Sequence, residues 1–291
     1  MTSAAGVRVK MTDPKSFHDR FQKDGVLIVE GAFSERDMDL IEAAYQGNID
    51  NPSTLVQRLY EETGGTFIQS LEDSSEKSTF KAMFKGTPIV EIAERVFGSG
   101  DVWYFHDQLF YKKGDPDKPV RRTPWHQDTP YHAMDGSKFV VFWIPMQDIP
   151  EDQALEVVRG SFKKTLYNPS YFHPDDDTIP LYDENEMPRL PNIEADRDNW
   201  DIVTCSMTRG DVLIFHPSSL HGGGFTPAGG LRRSLSLRMV GDDVIRVLRP
   251  NVDASSPTAN NVGDDEEVLT ARIAALPLGA PVFTSGLKKL S

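Results

Sequence analysis

Over the first 100 residues the apolar positions recur mainly at helical spacing. Phe17 and Phe21 fall four apart, behind an Asp13-Pro14 pair that reads as an N-cap followed by proline at the first helical position. Asp24-Gly25 stops that helix, and the run Val26-Leu27-Ile28-Val29 predicts a short buried strand. Ser34 and Asp37 have capping-box spacing, with Phe33 and Met38 as a flanking apolar staple and Ile41 and Tyr45 continuing the face. Thr87-Pro88 opens another helix, with Ile89, Ile92, Ala93 and Val96 on one side and Gly98 at its end.

From residue 101 the period changes. Short runs rich in β-branched and aromatic residues cover 102–112, 138–146, 154–158, 210–216 and 232–240, each bounded by Gly, Pro or Asp. Strands and helices do not alternate there, so an antiparallel sandwich or barrel is expected rather than a parallel sheet. Residues 164–201 interrupt the pattern with Pro169, Pro174, Pro180, Pro188 and Pro191 and ten acidic residues. A loop of this length between two strands reads as a lid or rim over a site. A last helix is expected over Asp264–Ala275, followed by a Pro/Gly-rich tail. No internal repeat is present. The whole chain, 1–291, thus reads as one domain. Residues 1–100 form a mainly helical support, 101–250 a β core carrying the 164–201 insert, and 251–291 a C-terminal segment.

Composition narrows the function. With 38% hydrophobic and 26% charged residues the chain reads as soluble and globular, and no apolar run is long enough for a membrane span. The N-terminus lacks the apolar stretch of a secretory signal, and Cys205 is the one cysteine, so a reducing, cytoplasmic setting is expected. A net charge of −13 argues against nucleic acid and anionic membrane as partners. A small-molecule substrate is the expected partner, and a homodimer is compatible with the sequence. One basic stretch, Y-K-K-G-D-P-D-K-P-V-R-R at 111–122, runs up to the motif that carries the chemistry.

That motif is T-P-W-H-Q-D-T-P-Y-H, residues 123–132. In an extended chain His126 and Asp128 point to the same side and offer an imidazole and a carboxylate together. A lone H-x-D arises often by chance, so a third ligand must give it meaning. The stretch G-D-V-L-I-F-H-P-S-S-L-H-G-G-G supplies His216 and His221. His221 is the expected ligand, because Gly222, Gly223 and Gly224 leave open space beside it; His216 sits within a strand and is expected to pack. Two histidines and a carboxylate with open positions form the facial triad of non-haem Fe(II) oxygenases, although zinc hydrolases use the same residue types. Arg232 decides between them. It lies eleven residues past His221 and offers a bidentate fork for the distal carboxylate of 2-oxoglutarate, with Ser234 on the same strand face. By parity Arg233 points the other way.

The order W-H-Q-D, G-D-V-L-I-F-H, H-G-G-G and R-R-S-L-S-L-R resembles the phytanoyl-CoA dioxygenase family, from D-G-V-L-I-V-E-G-A-F-S onward. The resemblance implies a double-stranded β-helix, the jelly-roll or cupin-like core, with Fe(II), 2-oxoglutarate and O2 as cofactor and co-substrates. It implies that His126, Asp128 and His221 hold iron and that Arg232 holds the co-substrate. It further implies that Gln127 helps orient the co-substrate and that Lys112 contributes a charge to it. Gln108 and Phe110 share the face of Lys112. Trp125, Tyr131, His132 and Phe105 are the expected substrate contacts. Two segments depart from the family pattern: V-V-R-G-S-F has Arg159 and Phe162 where P-G-S-H is usual, and E-D-Q-A replaces an E-N-G turn. Because Asp128 is present, halogenation is disfavoured. The implied reaction is hydroxylation of a small, largely apolar molecule, such as a secondary metabolite, with release of succinate and CO2. Given the net charge, a CoA thioester is a poor fit. The rival reading is a non-redox metal-binding jelly roll, an isomerase or binding protein.

Overall fold

A computed structural model describes residues 4–13, 17–52, 56–58, 65–173, 175–183, 185–250 and 269–291. Its helices are α1 (Phe17–Asp24), α2 (Glu35–Asp50), α3 (Ser78–Gly86), α4 (Ile89–Phe97) and α5 (Leu269–Ala274). The first strands are β1 (Arg8–Lys10), β2 (Val26–Glu30), β3 (Val56–Arg58), β4 (Thr66–Glu72) and β5 (Trp103–Lys113). Next come β6 (Thr123–His126), β7 (Met134–Asp135), β8 (Phe139–Pro145), β9 (Leu155–Val158) and β10 (Ile202–Cys205). The chain continues with β11 (Val212–Phe215), β12 (His221–Gly223), β13 (Leu231–Val240), β14 (Ile245–Arg246) and β15 (Lys288–Lys289).

The large sheet runs β1-β2-β11-β8-β13-β5-β4-β3, with β15 also on β5, and the small sheet runs β10-β9-β12-β6. Among the described pairings only β1 with β2 is parallel. Side-chain alternation then sorts the core into layers. Val26, Ile28, Val141, Trp143, Leu213 and Phe215 face the small sheet and meet Leu155, Val157, Val203 and Cys205. The intervening residues, among them Leu27, Val29, Phe142, Ile214, Leu235 and Leu237, pack against Phe17, Phe21, Met38, Ile41, Ile89 and Ile92 of the helices. Two sheets face to face, one of them backed by helices, are the jelly-roll architecture, and the helices support the large sheet from outside. With both faces covered, β8 is buried along its whole length, which accounts for its unbroken apolar run.

The local signals act as their chemistry requires. Ser34 accepts from the Asp37 N–H while Asp37 accepts from the Ser34 N–H, closing the capping box. Gly98 ends α4 in the left-handed region at φ 69°. The N-terminal hundred residues also contribute β1, β3 and β4, which the pattern of apolar positions did not indicate. They lie at the outer parts of the sheet, formed by pairing of β1 with β2, β4 with β5 and β3 with β4 rather than by their own periodicity. Pro14 and residues 264–268 of the expected last helix lie outside the described residues; α5 covers Leu269–Ala274.

Candidate metal and co-substrate site

β6 and β12 are neighbours in the small sheet, and His221 stands directly opposite His126. Their ring centroids are 4.1 Å apart. Each Nδ1 lies against a backbone carbonyl, Pro124 O at 2.8 Å for His126 and Ser219 O at 2.9 Å for His221. A carbonyl can only accept, so each Nδ1 carries the proton and each Nε2 keeps its lone pair for a ligand.

Asp128 arrives by another route than strand parity. β6 ends at His126, and Asp128 is in helical conformation (φ −79°, ψ −36°) at the start of a short 3-10 turn. Its N–H and that of Thr129 donate to Pro217 O, which ties this turn to the loop leading into β12. The expectation of one extended face is therefore corrected, since a turn, not a strand, delivers the carboxylate. Asp128 Oδ1 lies 3.3 Å from His126 Nε2 and 3.7 Å from His221 Nε2. All three ligand atoms fall within 4.8 Å of one another. Oδ2 is occupied by Arg238, whose Nη2 donates to it at 2.7 Å.

Two neutral nitrogens and one carboxylate oxygen converging on one point suit Fe(II). Burial pushes His221 down to about 3, which keeps it neutral and ready to bind. Burial alone would raise Asp128; the Arg238 charge beside it, with the two histidine rings facing the carboxylate, outweighs burial and holds the carboxyl well below its usual range.

Three residues along both strands lies a second cluster. Arg232 and Lys112 are direct partners across β13 and β5. The Lys112 ammonium is buried, donates to Thr123 Oγ1 at 3.0 Å and sits 4.0 Å from the centroid of the Phe67 ring. Burial pushes it well below the ordinary lysine range, and the charges of Arg232, Arg121 and Arg122 act in the same direction. Arg232 is likewise buried, donates to Gln153 O at 3.0 Å and lies over Trp143. Burial lowers it to about 10, so it remains cationic. The buried Ser234 Oγ beside it has no hydrogen-bond partner among the described residues. A buried guanidinium cation, a lysine amine whose protonated form a neighbouring anion would favour, and an unpartnered hydroxyl could together hold a carboxylate such as the distal end of 2-oxoglutarate. Arg233 points to the opposite side, pairs with Glu42 at 2.8 Å and covers Tyr45.

The glycines after His221 have a different use from the one expected. A Cβ on Gly222 would lie 3.0 Å from Pro124 O, and one on Gly223 2.9 Å from Ala154 O. One on Gly224 would lie 1.9 Å from the Arg232 Nη1. They therefore let β12 fit between its neighbours and let the guanidinium approach the chain, and they do not hold space open for a ligand.

The remaining expected residues separate. Gln108 donates to Gln69. Gln127 donates to Thr165 O and Ser218 O and accepts from the Tyr167 N–H, so it fastens the 164–201 segment to the His221 loop. Trp125 turns away from its neighbour His126. It packs with Val158, Leu190, Ile193 and Ile202 and donates to Glu194, in a cluster apart from the triad. Tyr131 stacks on Phe172 and donates to Ser170 O. Phe105 and His132 meet edge to face at 5.2 Å. His216 packs as expected: its Nδ1 accepts from the Ser218 N–H, its Nε2 donates to Gly136 O, and Phe162 lies 5.0 Å away.

Three residues near the triad were not anticipated: Arg238, His106 and Phe172. Alternation through 232, 234 and 236 leads to Arg238, and alternation through 112, 110 and 108 leads to His106, so both were within reach of the parity argument. Phe172, 5.3 Å from the His126 ring and at φ 59°, lies in the irregular insert, where no periodicity points to it.

The profile of the phytanoyl-CoA dioxygenase (PhyH) family matches residues 21–234. Phytanoyl-CoA dioxygenase of Mus musculus is 24% identical over 77% of this chain and 67% of its own length. The Homo sapiens enzyme is 27% identical over 56% of this chain and 47% of its own. Among solved structures, the epimerase SnoN, determined with Fe3+, alpha-ketoglutarate and nogalamycin RO, superposes with TM-score 0.68 at 17% identity over 96% of this chain and 99% of its own. SnoK, a non-heme alpha-ketoglutarate-dependent carbocyclase, gives 0.62 at 14% identity over 92% of each chain. EctD from S. alaskensis, with 2-oxoglutarate and 5-hydroxyectoine, gives 0.54 at 17% identity over 77% of this chain and 75% of its own. With the family profile covering most of the chain and the His-Asp-His site in place, this protein belongs to the phytanoyl-CoA dioxygenase family of iron- and 2-oxoglutarate-dependent dioxygenases.

Proposed function

We propose that the chain hydroxylates an unactivated C–H of a small, largely apolar organic molecule, in an O2-dependent reaction that converts 2-oxoglutarate to succinate and CO2. The observation that carries this reading is the pairing of the triad with the Arg232–Lys112 cluster. Thr123 and His126 on β6, and Gly224 and His221 in and just after β12, are each three residues apart. At a rise of ~3.3 Å per residue the two centres stand roughly 10 Å apart, a span that a five-carbon dicarboxylate chelating at one end can bridge. A zinc hydrolase has no use for that second cluster, and a binding protein has no use for both.

Iron bound by His126, Asp128 and His221 would supply oxygen activation coupled to oxidative decarboxylation. The protein's own residues supply placement. The Nδ1 bonds to Pro124 and Ser219 hold both imidazoles in the ligating tautomer. Arg238 holds the Asp128 carboxylate so that one oxygen faces the histidines. Arg232, Lys112 and Ser234 would fix the distal carboxylate, which sets the orientation of the keto acid.

The 164–201 segment is read as a lid. In support, Phe172 lies against His126, the Ser170 carbonyl accepts from Tyr131, Gln127 joins Thr165 and Tyr167, and Tyr182 donates to Pro130 O. The rings of Phe172, Tyr131, Phe105 and Phe139 favour an apolar or aromatic substrate body. The similar folds named epimerase and carbocyclase carry other outcomes, so product identity is the test of hydroxylation. Anaerobic protein with Fe(II) and 2-oxoglutarate should develop a visible metal-to-ligand charge-transfer band, and succinate release with a compound library should rise for its substrate. A fully metallated protein with no band and no succinate would end this reading.

A further inference from the structure

We propose that Arg238 and His106 form a receptor for a hydroxyl group of the primary substrate, phenolic, enolic or alcoholic, beside the iron centre. The proposal rests on the oxygenase reading above. Arg238 spends Nη2 on Asp128, while its Nε and Nη1 are buried without a hydrogen-bond partner among the described residues. His106 Nε2 and His132 Nδ1 are buried and unpartnered in the same way. Arg238 and His106 are 5% and 6% exposed and stand directly opposite each other across β13 and β5. The His132 ring lies 5.6 Å from that of His106. Burial first, and then the Arg238 charge, lowers the pKa of both rings. Folded proteins rarely leave several polar atoms unpaired in one place, because each costs roughly 1–3 kcal/mol.

The hydrogen-bond roles select the ligand. A guanidinium can only donate. His106 Nδ1 lies 3.2 Å from the Asp107 carbonyl and must donate to it, so Nε2 is left as an acceptor. A bare carboxylate would satisfy Arg238 and leave His106 unpaired. A hydroxyl satisfies both, since its oxygen accepts from Arg238 and its hydrogen donates to His106 Nε2. Phe105 and Phe139 flank the rings, so the hydroxyl would be carried on an apolar body. A substrate held this way is anchored one side chain away from the carboxylate ligand, which brings its neighbouring carbons toward the metal.

The test uses 2-naphthol, 2-methoxynaphthalene and 2-naphthoate as probes. Their binding to the full chain is measured by calorimetry, both metal-free and loaded anaerobically with Fe(II) and 2-oxoglutarate. The naphthol is expected to bind at least roughly tenfold more tightly than the ether or the carboxylate, the effect of one unmatched buried hydrogen bond. His106→Leu should erase that preference, and His106→Gln, which keeps an acceptor, should retain it. Equal binding of the three probes to the unaltered protein overturns the proposal, with no variant needed. So does a preference that survives in His106→Leu, because the hydroxyl is then read elsewhere, at the metal included. Absence of the charge-transfer band in the loaded protein counts against the oxygenase reading alone, because the metal-free titration still decides the receptor.

Discussion

At the scale of single residues, the candidate iron site depends on few atoms with little redundancy. His126 and His221 each have one nitrogen committed to the backbone, and Asp128 has one oxygen committed to Arg238, so each presents one donor. Replacing His126 or Asp128 by alanine should abolish stoichiometric iron binding, read by metal analysis, and turnover with it; retained iron in both variants would refute the assignment. The two adjacent arginines give a sharper contrast. Arg232→Ala should raise the apparent KM for 2-oxoglutarate at least tenfold. Arg233→Ala, which loses a partly exposed ion pair to Glu42 and the cover over Tyr45, should leave it nearly unchanged and cost about 1 kcal/mol of stability. The reverse result would mean that the co-substrate approaches β13 from its helix-covered side.

At the scale of elements, the small sheet sets the geometry. Because His221 pairs with His126, the register of β6 with β12 fixes the distance between two ligands, and a slip of one residue would turn one of them outward. Gly224, at φ +73°, lets the Arg232 guanidinium reach the same strands. Gly224→Ala should therefore weaken 2-oxoglutarate binding by tenfold or more, seen as a lower charge-transfer amplitude at fixed co-substrate, while iron binding persists; unchanged affinity would show that the guanidinium moves aside freely. The 164–201 segment meets the site through Phe172, held in a backbone conformation unfavourable for a bulky residue. Phe172→Ala should lower coupled substrate turnover more than uncoupled 2-oxoglutarate consumption. Equal losses would indicate a folding role for that side chain.

A bulge explains why strict alternation fails at one end of β5. Arg238 pairs with His106 but Met239 pairs with Tyr104, so Phe105 is an extra residue. The rings of Phe105 and His106 consequently meet at 4.4 Å instead of pointing to opposite faces.

At the scale of the whole molecule, burying histidines makes the fold sensitive to acid. Burial pushes His216 and His221 from 6.5 down to about 4 and about 3. Below pH 6.5 the unfolded chain takes up protons that the fold refuses, so stability falls as pH falls through this range. Each histidine contributes roughly 2 kcal/mol of loss between pH 7 and pH 5. Denaturant unfolding of the metal-free protein at the two pH values should show the combined loss. A flat profile would mean that these rings are reached by water or protonated in place.

The sequence by itself determined the family and the order of the candidate site residues along the chain. H-x-D, the strand leading to His216, His221 and Arg232 are local spacings, and the change of hydrophobic period at residue 101 marks where a mainly helical stretch carrying four strands gives way to a mainly β one. Parity of 232 against 233 was also decided locally, because β13 is regular there. Only the tertiary structure decided what depended on partners distant in the chain. Asp128 reaches the site through a turn anchored on Pro217, and the glycines after His221 answer to Ala154, Pro124 and Arg232. Gln127 and Trp125 are claimed by the insert. Those outcomes follow from hydrogen bonds and packing between segments far apart in the chain, for which hydrophobic period carries no signal.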